Sequence, residues 1–342
     1  MNIHLDSEVY RFNQVFFQKK ATKNYNLTTK KLKKIIKSFF IFNISFFSLF
    51  LVEAILFTLL FSVFSSSVFL ALLLASMFLT SFTYLVLLFY FQSKKTEQLI
   101  NLKDHFIKVC KRALSIPIGS AEHHLTIALA ALKLTDNLSE NEHKLLKFPK
   151  IFFKIFKKLD SFLIKEDVFK FKESLLIAAI LEHLNQLKIS PTDLEVHTSL
   201  TNIYTSLFSL YKEAKVKIFF SKNQKDHLEQ KYLSCIKIAI EEFKILNDYA
   251  PNDPWIHLQL AKSYNRLGLK IDELKEYEIV YKLCPKDNNI LFKLGCLYFE
   301  TKSNSKGLRV YEELKMRAFK DTDKLLDLYG VYKNFELLQE NL

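Results

Sequence analysis

The sequence predicts an all-α protein, in which a two-helix transmembrane hairpin is followed by an α-solenoid of stacked helix pairs. The 342 residues include only five glycines and six prolines, so turns are few, as a mainly helical chain requires. Residues 39–91 carry a single charged side chain, and several large residues recur every 34 positions near the C-terminus. The length allows for roughly two domains of ~100–200 residues each.

Residues 1–38 are predicted to be a basic N-terminal arm on the cytosolic side. Nine Lys and Arg oppose two acidic residues there, a net +7 of the chain's formal +13. Further basic residues follow the apolar region, between Lys94 and Arg112. Because basic residues flank membrane spans on the cytoplasmic side, we expect both termini in the cytoplasm. We expect no nucleic-acid binding, since no RNA-binding or helix-turn-helix motif accompanies this charge.

Residues 39–91 are predicted to form an integral membrane hairpin. Glu53 is the only charged residue in this 53-residue run, and roughly 20 apolar residues cross a bilayer. Three serines at 65–67 mark the turn between helices at about 39–63 and 68–91. In a tight hairpin Glu53 lies level with residues near 79, so we predict a polar clasp between the helices, with transport as its alternative role. The candidate partners of Glu53 are Ser76, Thr80 and Ser81.

Four sets of residues near the C-terminus share an interval of 34 positions. A fixed period of this length is typical of helical units that bury their apolar faces against one another. The sets are Leu260, Leu294 and Leu328; Tyr264, Tyr298 and Tyr332; Phe243, Tyr277 and Tyr311; and Leu246, Val280 and Leu314.

These positions resemble the tetratricopeptide repeat (TPR) family. Residues 254–287 supply Leu260, Ala261, Tyr264, Gly268, Tyr277, Val280 and Pro285, and residues 288–321 supply Leu294, Gly295, Tyr298, Gly307, Tyr311 and Leu314. Glu273 departs from the pattern at a normally small position. The resemblance implies a TPR-like α-solenoid over 173–342, interrupted by an insertion at about 213–230. Residues 92–172 are predicted to be a helical juxtamembrane region without a repeat register.

The TPR resemblance also implies a concave groove that binds a protein or peptide. In the family this face is built mainly by the first helix of each pair. The alternative is that Trp255 and Phe292 pack against neighbouring helices. The candidate groove residues are Trp255, Leu258, Lys262, Asn265, Arg266, Cys296, Phe292 and Phe299.

Residues 147–163 have the pattern of a basic amphipathic helix. Lysines follow one side and Ile, Leu and Phe the other. Such a helix binds an anionic membrane surface, although a solvated face of a solenoid helix has the same pattern. The membrane-surface candidates are Lys147, Lys150, Lys154, Lys157 and Lys158.

No catalytic or metal-binding motif occurs in the sequence, so we expect no enzyme activity, metal or cofactor. The function that the sequence favours is a membrane-anchored TPR scaffold that binds a protein partner. One alternative is a secreted effector, since the bilobed hairpin is similar in architecture to the inclusion-membrane proteins of chlamydiae, which insert in a host-derived vacuole membrane. Another alternative is an assembly subunit of a larger membrane complex.

Overall fold

The computed structural model describes residues 14–61, 68–114, 117, 119–142, 154–218 and 221–329. Ten long helices lie within these residues, and residues 323–329 add a helical turn after the last of them. The helices are α1 Gln14–Phe61, α2 Val68–Ala113, α3 Ala121–Glu140, α4 Lys154–Leu187, α5 Leu194–Lys217, α6 Lys222–Tyr249, α7 Pro254–Leu267, α8 Lys270–Leu283, α9 Asn288–Glu300 and α10 Asn304–Met316. The chain divides into two compact units, Met1–Pro191 with Glu213–Phe219, and Thr192–Lys212 with Phe220–Leu342.

Helices α1 and α2 form a long antiparallel pair in the first unit. The Phe42 and Phe91 rings lie 4.4 Å apart between centroids, and the Tyr25 and Phe106 rings 6.0 Å apart. The two residue numbers in each contact add to nearly the same total, as an antiparallel pair without a shift in register requires. The predicted turn at 65–67 lies outside the described residues.

The half of this pair nearest the turn exposes its apolar side chains. Phe78 is 70% exposed, Val68 78% and Leu59 63%. Both helices are long and apolar enough to cross a membrane, and their most apolar windows have no residues buried inside the structure. These side chains have no protein core to cover them in the part of the chain that the structure describes.

The other half of the pair is a packed stem. Leu32 and Phe106 are fully buried, and α1 and α2 both contact α3 and α4. The basic segment before residue 39 is therefore not a separate arm from residue 14 onward, because α1 runs through it without a break. Burial of every third or fourth residue explains why the helix continues there.

The second unit shows the 34-residue step directly. Helices α7 and α9 begin 34 residues apart, at Pro254 and Asn288, and α8 and α10 also begin 34 residues apart. Each of these helices has 13 or 14 residues and contacts the next one along the chain. The predicted TPR-like helix pairs are confirmed.

The predicted insertion lengthens two helices and adds no separate element. Helix α5 has 24 residues and α6 has 28, against 14 in each of α7 and α8. Ser221 begins α6 with a capping box, in which its side chain accepts from the Gln224 backbone N–H while the Gln224 side chain accepts from the Ser221 backbone. The extra residues thus extend the helix pair beyond the usual length.

Small residues set the close approach of the C-terminal helices. A Cβ atom added at Gly307 would lie 2.7 Å from Phe299 Cε1, and one added at Gly295 would lie 2.9 Å from Val310 Cγ1. Glu273 replaces the small residue in the preceding repeat, and its buried carboxylate accepts from Asn265 Nδ2 at 2.8 Å. Lys293 and Lys270 compensate its charge at 3.3 and 3.4 Å.

Candidate functional site

Helices α7 and α9 carry the candidate groove residues, and their starts are fixed by aspartate caps. Asp253 accepts from the Trp255 backbone N–H at 2.9 Å, directly before Pro254 at the first helical position. Asp287 accepts from the Asn289 N–H at 2.8 Å at the equivalent position of α9. The same cap thus sets the first turn of both helices.

Three of the candidates form an accessible surface on α7. Trp255 is 42% exposed, with its ring edge-on to Phe243 at 5.9 Å between centroids. Lys262, two turns further along α7, is exposed, and no ion-pair partner for it occurs among the described residues. Leu258 lies between them and is half-buried against the C-terminal core. An aromatic anchor beside a free cation suits an apolar side chain and an acidic group.

Two further candidates on α7 are held by contacts within the protein. Asn265 donates its amide to Glu273. The Arg266 guanidinium lies over the Phe208 ring at 4.4 Å, and burial lowers the pKa of Arg266 below its usual range. A guanidinium with this chemistry stays charged, so its role here is to join α5 to α7 by a cation–π contact.

The two phenylalanines of α9 differ in accessibility. Phe292 is half-buried and packs against Phe319 at 5.7 Å between ring centroids. Phe299 is 0% exposed and lies between Gly307 and the Tyr329 ring. The assignment of Phe299 to the groove surface is wrong, because the missing side chain at Gly307 opens a core site that this ring fills. Cys296 is half-buried, and burial raises the pKa of its thiol.

Three histidine–glutamate pairs escaped the sequence argument. His197 Nδ1 lies 2.6 Å from Glu242 Oε2, and His257 Nδ1 lies 2.7 Å from Glu276 Oε2. In each pair the histidine is on the first helix and the glutamate on the second. The two glutamates are 34 residues apart and the histidines 60, the same offsets that relate the other repeat positions.

The third of these pairs extends the repeat pattern into the first unit. His124 Nδ1 on α3 lies 2.6 Å from Glu182 Oε2 on α4. A fully buried isoleucine and alanine follow at Ile127 and Ala128, as Leu260 and Ala261 follow the histidine of α7. Helices α3 and α4 therefore pair like a repeat, although the alanine-rich α3 lacks the tyrosine that marks the register elsewhere.

His257 has acceptors at both ring nitrogens. Its Nε2 donates to the Pro251 carbonyl at 2.9 Å while Nδ1 faces the Glu276 carboxylate. A carbonyl and a carboxylate both require a donor, so the ring carries two protons in this arrangement. The imidazolium ties α7 to the loop before it and to α8.

The predicted polar clasp has one direct contact. Thr80 Oγ1 donates to Glu53 Oε1 at 2.8 Å. Ser76 donates to the Leu73 carbonyl of its own helix at 2.8 Å, and Ser81 is exposed. A second polar pair between α1 and α2 joins Tyr84 Oη to Asn43 Oδ1 at 3.2 Å.

The predicted membrane-surface helix is only partly described. Lys147 and Lys150 lie outside the described residues, whereas Lys154, Lys157 and Lys158 belong to the first turns of α4. Within the described ranges, no group of three or more His, Cys, Asp or Glu side chains could hold a metal ion.

Comparisons with known proteins add the following findings. No protein-family profile matches the chain, and no curated protein matches it. Among solved structures, a monomeric IFIT1 mutant with Gppp-AAAA is 16% identical, with a TM-score of 0.33, over 74% of this chain and 64% of that chain. Human IFIT1 as a dimer with m7Gppp-AAAA is also 16% identical, with a TM-score of 0.31, over 70% of this chain and 61% of that chain.

A thermophilic TPR protein of Thermus thermophilus is 19% identical, with a TM-score of 0.26, over 64% of this chain and all of that chain. The chain therefore spans less than two thirds of the IFIT1 chains that it matches. These scores are low, and the repeated helix pairs of the structure itself decide the fold. The C-terminal helices form a TPR-like solenoid. This TPR-like part of the chain carries the candidate groove.

Proposed function

We propose that the protein is a membrane-anchored scaffold, not an enzyme, whose TPR-like helices bind a protein or peptide on the cytoplasmic side. Helices α1 and α2 anchor it through the segments 39–63 and 68–91. The exposed α7 surface, formed by Trp255, Leu258 and Lys262, contacts the partner.

The observation that carries the anchoring is the exposure of apolar side chains on every side of the hairpin. Exposed apolar patches on soluble monomers rarely exceed a few hundred Å², whereas here large apolar side chains are exposed along more than 20 residues of both helices. Hydrocarbon around the hairpin removes this cost, and the Thr80–Glu53 hydrogen bond satisfies a polar group that would otherwise face lipid. The basic stem keeps both ends of the hairpin at the cytoplasmic surface.

The chemistry of the α7 surface supports a peptide partner with an apolar side chain and an acidic group. Trp255 offers a large apolar face, and Lys262 offers a cation that no described residue neutralises. Aromatic residues with neighbouring charges form the energetic centres of many protein interfaces. Phe292 continues this surface on α9 with a half-buried ring.

The proposed binding is tested with full-length protein in mild detergent. The double substitution Trp255→Ala with Lys262→Gln removes the surface, and we expect it to lower partner capture by at least about tenfold, since a hot-spot residue contributes about 2 kcal/mol or more. The matched control is Ile271→Ala with Lys275→Gln, which removes an exposed apolar residue and an exposed lysine from α8. Equal capture by the two variants would refute the α7 surface as the site.

The expectation that the chain binds no nucleic acid is part of the same proposal. The IFIT1 structures contain RNA, so RNA is the rival ligand for the TPR-like helices. The oligonucleotide m7Gppp-AAAA, in a filter-binding titration at physiological salt, should show no saturable binding. Saturable binding that Lys262→Gln weakens would replace the peptide with RNA.

A further inference from the structure

The stem of the helical pair contains a basic cavity at the end nearest the hairpin. It has a volume of about 410 Å³ and lies along the seam between α1 and α2. Lys31, Lys34 and Ser38 line it from α1, and Gln98, Asn101 and His105 line it from α2. Every one of these polar groups can donate a hydrogen bond.

The charge of this cavity is uncompensated in the described part of the chain. No carboxylate lines the cavity, and neither Lys31 nor Lys34 has an ion-pair partner among the described residues. Other lysines of the stem do have partners, since Lys95 pairs with Asp167 at 2.8 Å and Lys111 with Glu182 at 2.9 Å. The cavity thus differs from the rest of the stem, where buried acids neutralise the lysines.

A second cavity continues the basic seam further along α1. It has a volume of about 590 Å³ and is lined by residues that include Lys23, Asn26 and Lys30. From Thr22 to Phe39, α1 carries six lysines and no acidic residue. This long positive stripe attracts anions from the surface that it faces.

The position of the cavity identifies the anion. Lys34 lies five residues before Phe39, about 8 Å along the helix axis, and Phe39 begins the uncharged run. If the hairpin spans a bilayer with a hydrocarbon core of about 30 Å, Ser38 and Lys34 lie beside the layer of lipid headgroups. Lysines one helical turn apart bind a phosphate as two point charges, while the hydroxyl and amides donate to its oxygens.

We propose that this cavity binds the phosphate headgroup of an anionic membrane lipid, with Lys31 and Lys34 as its cationic ligands. The inference rests on the proposed membrane anchoring and adds a lipid preference to it. The ligand fixes the stem against the membrane surface, since a bound headgroup joins α1 to α2 at the point where they leave the bilayer.

The test measures lipid binding by full-length protein in mild detergent, using native mass spectrometry. The probes are phosphatidylglycerol, phosphatidylcholine and inorganic phosphate. The variants are Lys31→Gln with Lys34→Gln, and a control of equal charge on the same turns of α1, Lys33→Gln with Lys37→Gln. Thermal unfolding of both variants checks that the stem is intact.

We expect wild type to retain one phosphatidylglycerol in preference to phosphatidylcholine. The cavity variant should lose about 10- to 30-fold in this affinity, because each lysine at a membrane surface contributes a several-fold gain, and the control should stay within about threefold of wild type. Restoring the charge with Lys31→Arg and Lys34→Arg should restore most of the binding.

Equal losses in the cavity variant and the control would overturn the proposal, because diffuse attraction by the whole stripe would then explain the binding. Binding of inorganic phosphate as tight as that of the lipid would assign the cavity to a soluble anion and would overturn it as well. Alkaline carbonate extraction separates this inference from the anchoring on which it rests. Release of wild type by carbonate refutes the anchor, whereas retained protein without a lipid preference refutes the cavity alone.

Discussion

The contact between Gly307 and Phe299 provides a sharp test of the packing of the TPR-like helices. A methyl group added at Gly307 would lie 2.7 Å from Phe299 Cε1 and 2.8 Å from Cζ. Carbon atoms pack best at about 3.5–4.0 Å, so the new group overlaps the ring by roughly 1 Å. The ring is fully buried and has no free space into which to move.

Two opposing contributions determine the effect of Gly307→Ala. Overpacking of a core costs about 1–3 kcal/mol, while replacing glycine by alanine inside a helix stabilises by about 1 kcal/mol. The net change in wild type is therefore a loss of up to about 2 kcal/mol. Leucine at position 299 lacks the two nearest ring atoms, so in a Phe299→Leu background the overlap disappears and Gly307→Ala should stabilise by about 1 kcal/mol.

The assay is urea unfolding of full-length protein in mild detergent, followed by the fluorescence of Trp255. This residue is the chain's single tryptophan and lies in the second unit. Gly295→Ala is the matched control, because its added methyl group meets Val310 and Leu325 rather than Phe299. The effect of the control should be the same in both backgrounds.

The expected result is a coupling of at least about 1 kcal/mol between positions 299 and 307, and additivity between 299 and 295. Additivity within about 0.5 kcal/mol at 299 and 307 would refute the reasoning. That result would mean that Phe299 does not fill the space left by Gly307, and its assignment to the core would fail.

Three further predictions concern the first unit. Lys95→Ala should cost about 3–5 kcal/mol in unfolding free energy because it leaves a buried aspartate unpaired, whereas the neighbouring Lys94→Ala should cost less than about 1 kcal/mol; equal costs would contradict the buried pair. Burial raises the pKa of Glu182, but hydrogen bonds from Lys111 and a histidine outweigh it and leave that pKa below its usual range. Its contribution to stability is therefore present above the unfolded value of about 4.3 and is lost as pH falls through the folded pKa, and an acid titration of unfolding should show a smaller loss in Lys111→Gln. Glu53→Gln keeps an acceptor for the threonine opposite and should leave thermal unfolding in detergent within about 0.5 kcal/mol of wild type, whereas Glu53→Ala should cost about 0.6–2 kcal/mol; a larger loss in Glu53→Gln would indicate that the charge itself is required.

The periodic features of this fold could be predicted from sequence, because a repeat places the same demand on each helix. The 34-residue step of the leucines and tyrosines predicts the starts of α7 and α9, and Asp253 and Asp287 mark them chemically. The level of Glu53 with residues near 79 follows from a tight antiparallel hairpin, and the structure brings Thr80 within 2.8 Å of it.

Features that depend on contacts between distant residues could not be predicted in the same way. The burial of Phe299 depends on a glycine eight residues later on the next helix. Continuation of α1 through its lysines depends on burial of Leu32 against partners far along the chain. The histidine–glutamate pairs did have a sequence pattern, since Glu242 and Glu276 keep the 34-residue step, but the pairing itself appears only when the helices are packed.

The central claim, a partner bound by the TPR-like helices of a membrane-anchored chain, is tested most directly by site-specific photo-crosslinking of full-length protein in its membrane. A benzophenone amino acid replaces Lys262 on α7 in one variant and Lys275 on α8 in the other, both of them exposed lysines. The account predicts a discrete protein crosslink from position 262 in the membrane fraction and none from position 275. Equal crosslinking from both positions, or a crosslinked protein recovered in the soluble fraction, would contradict it.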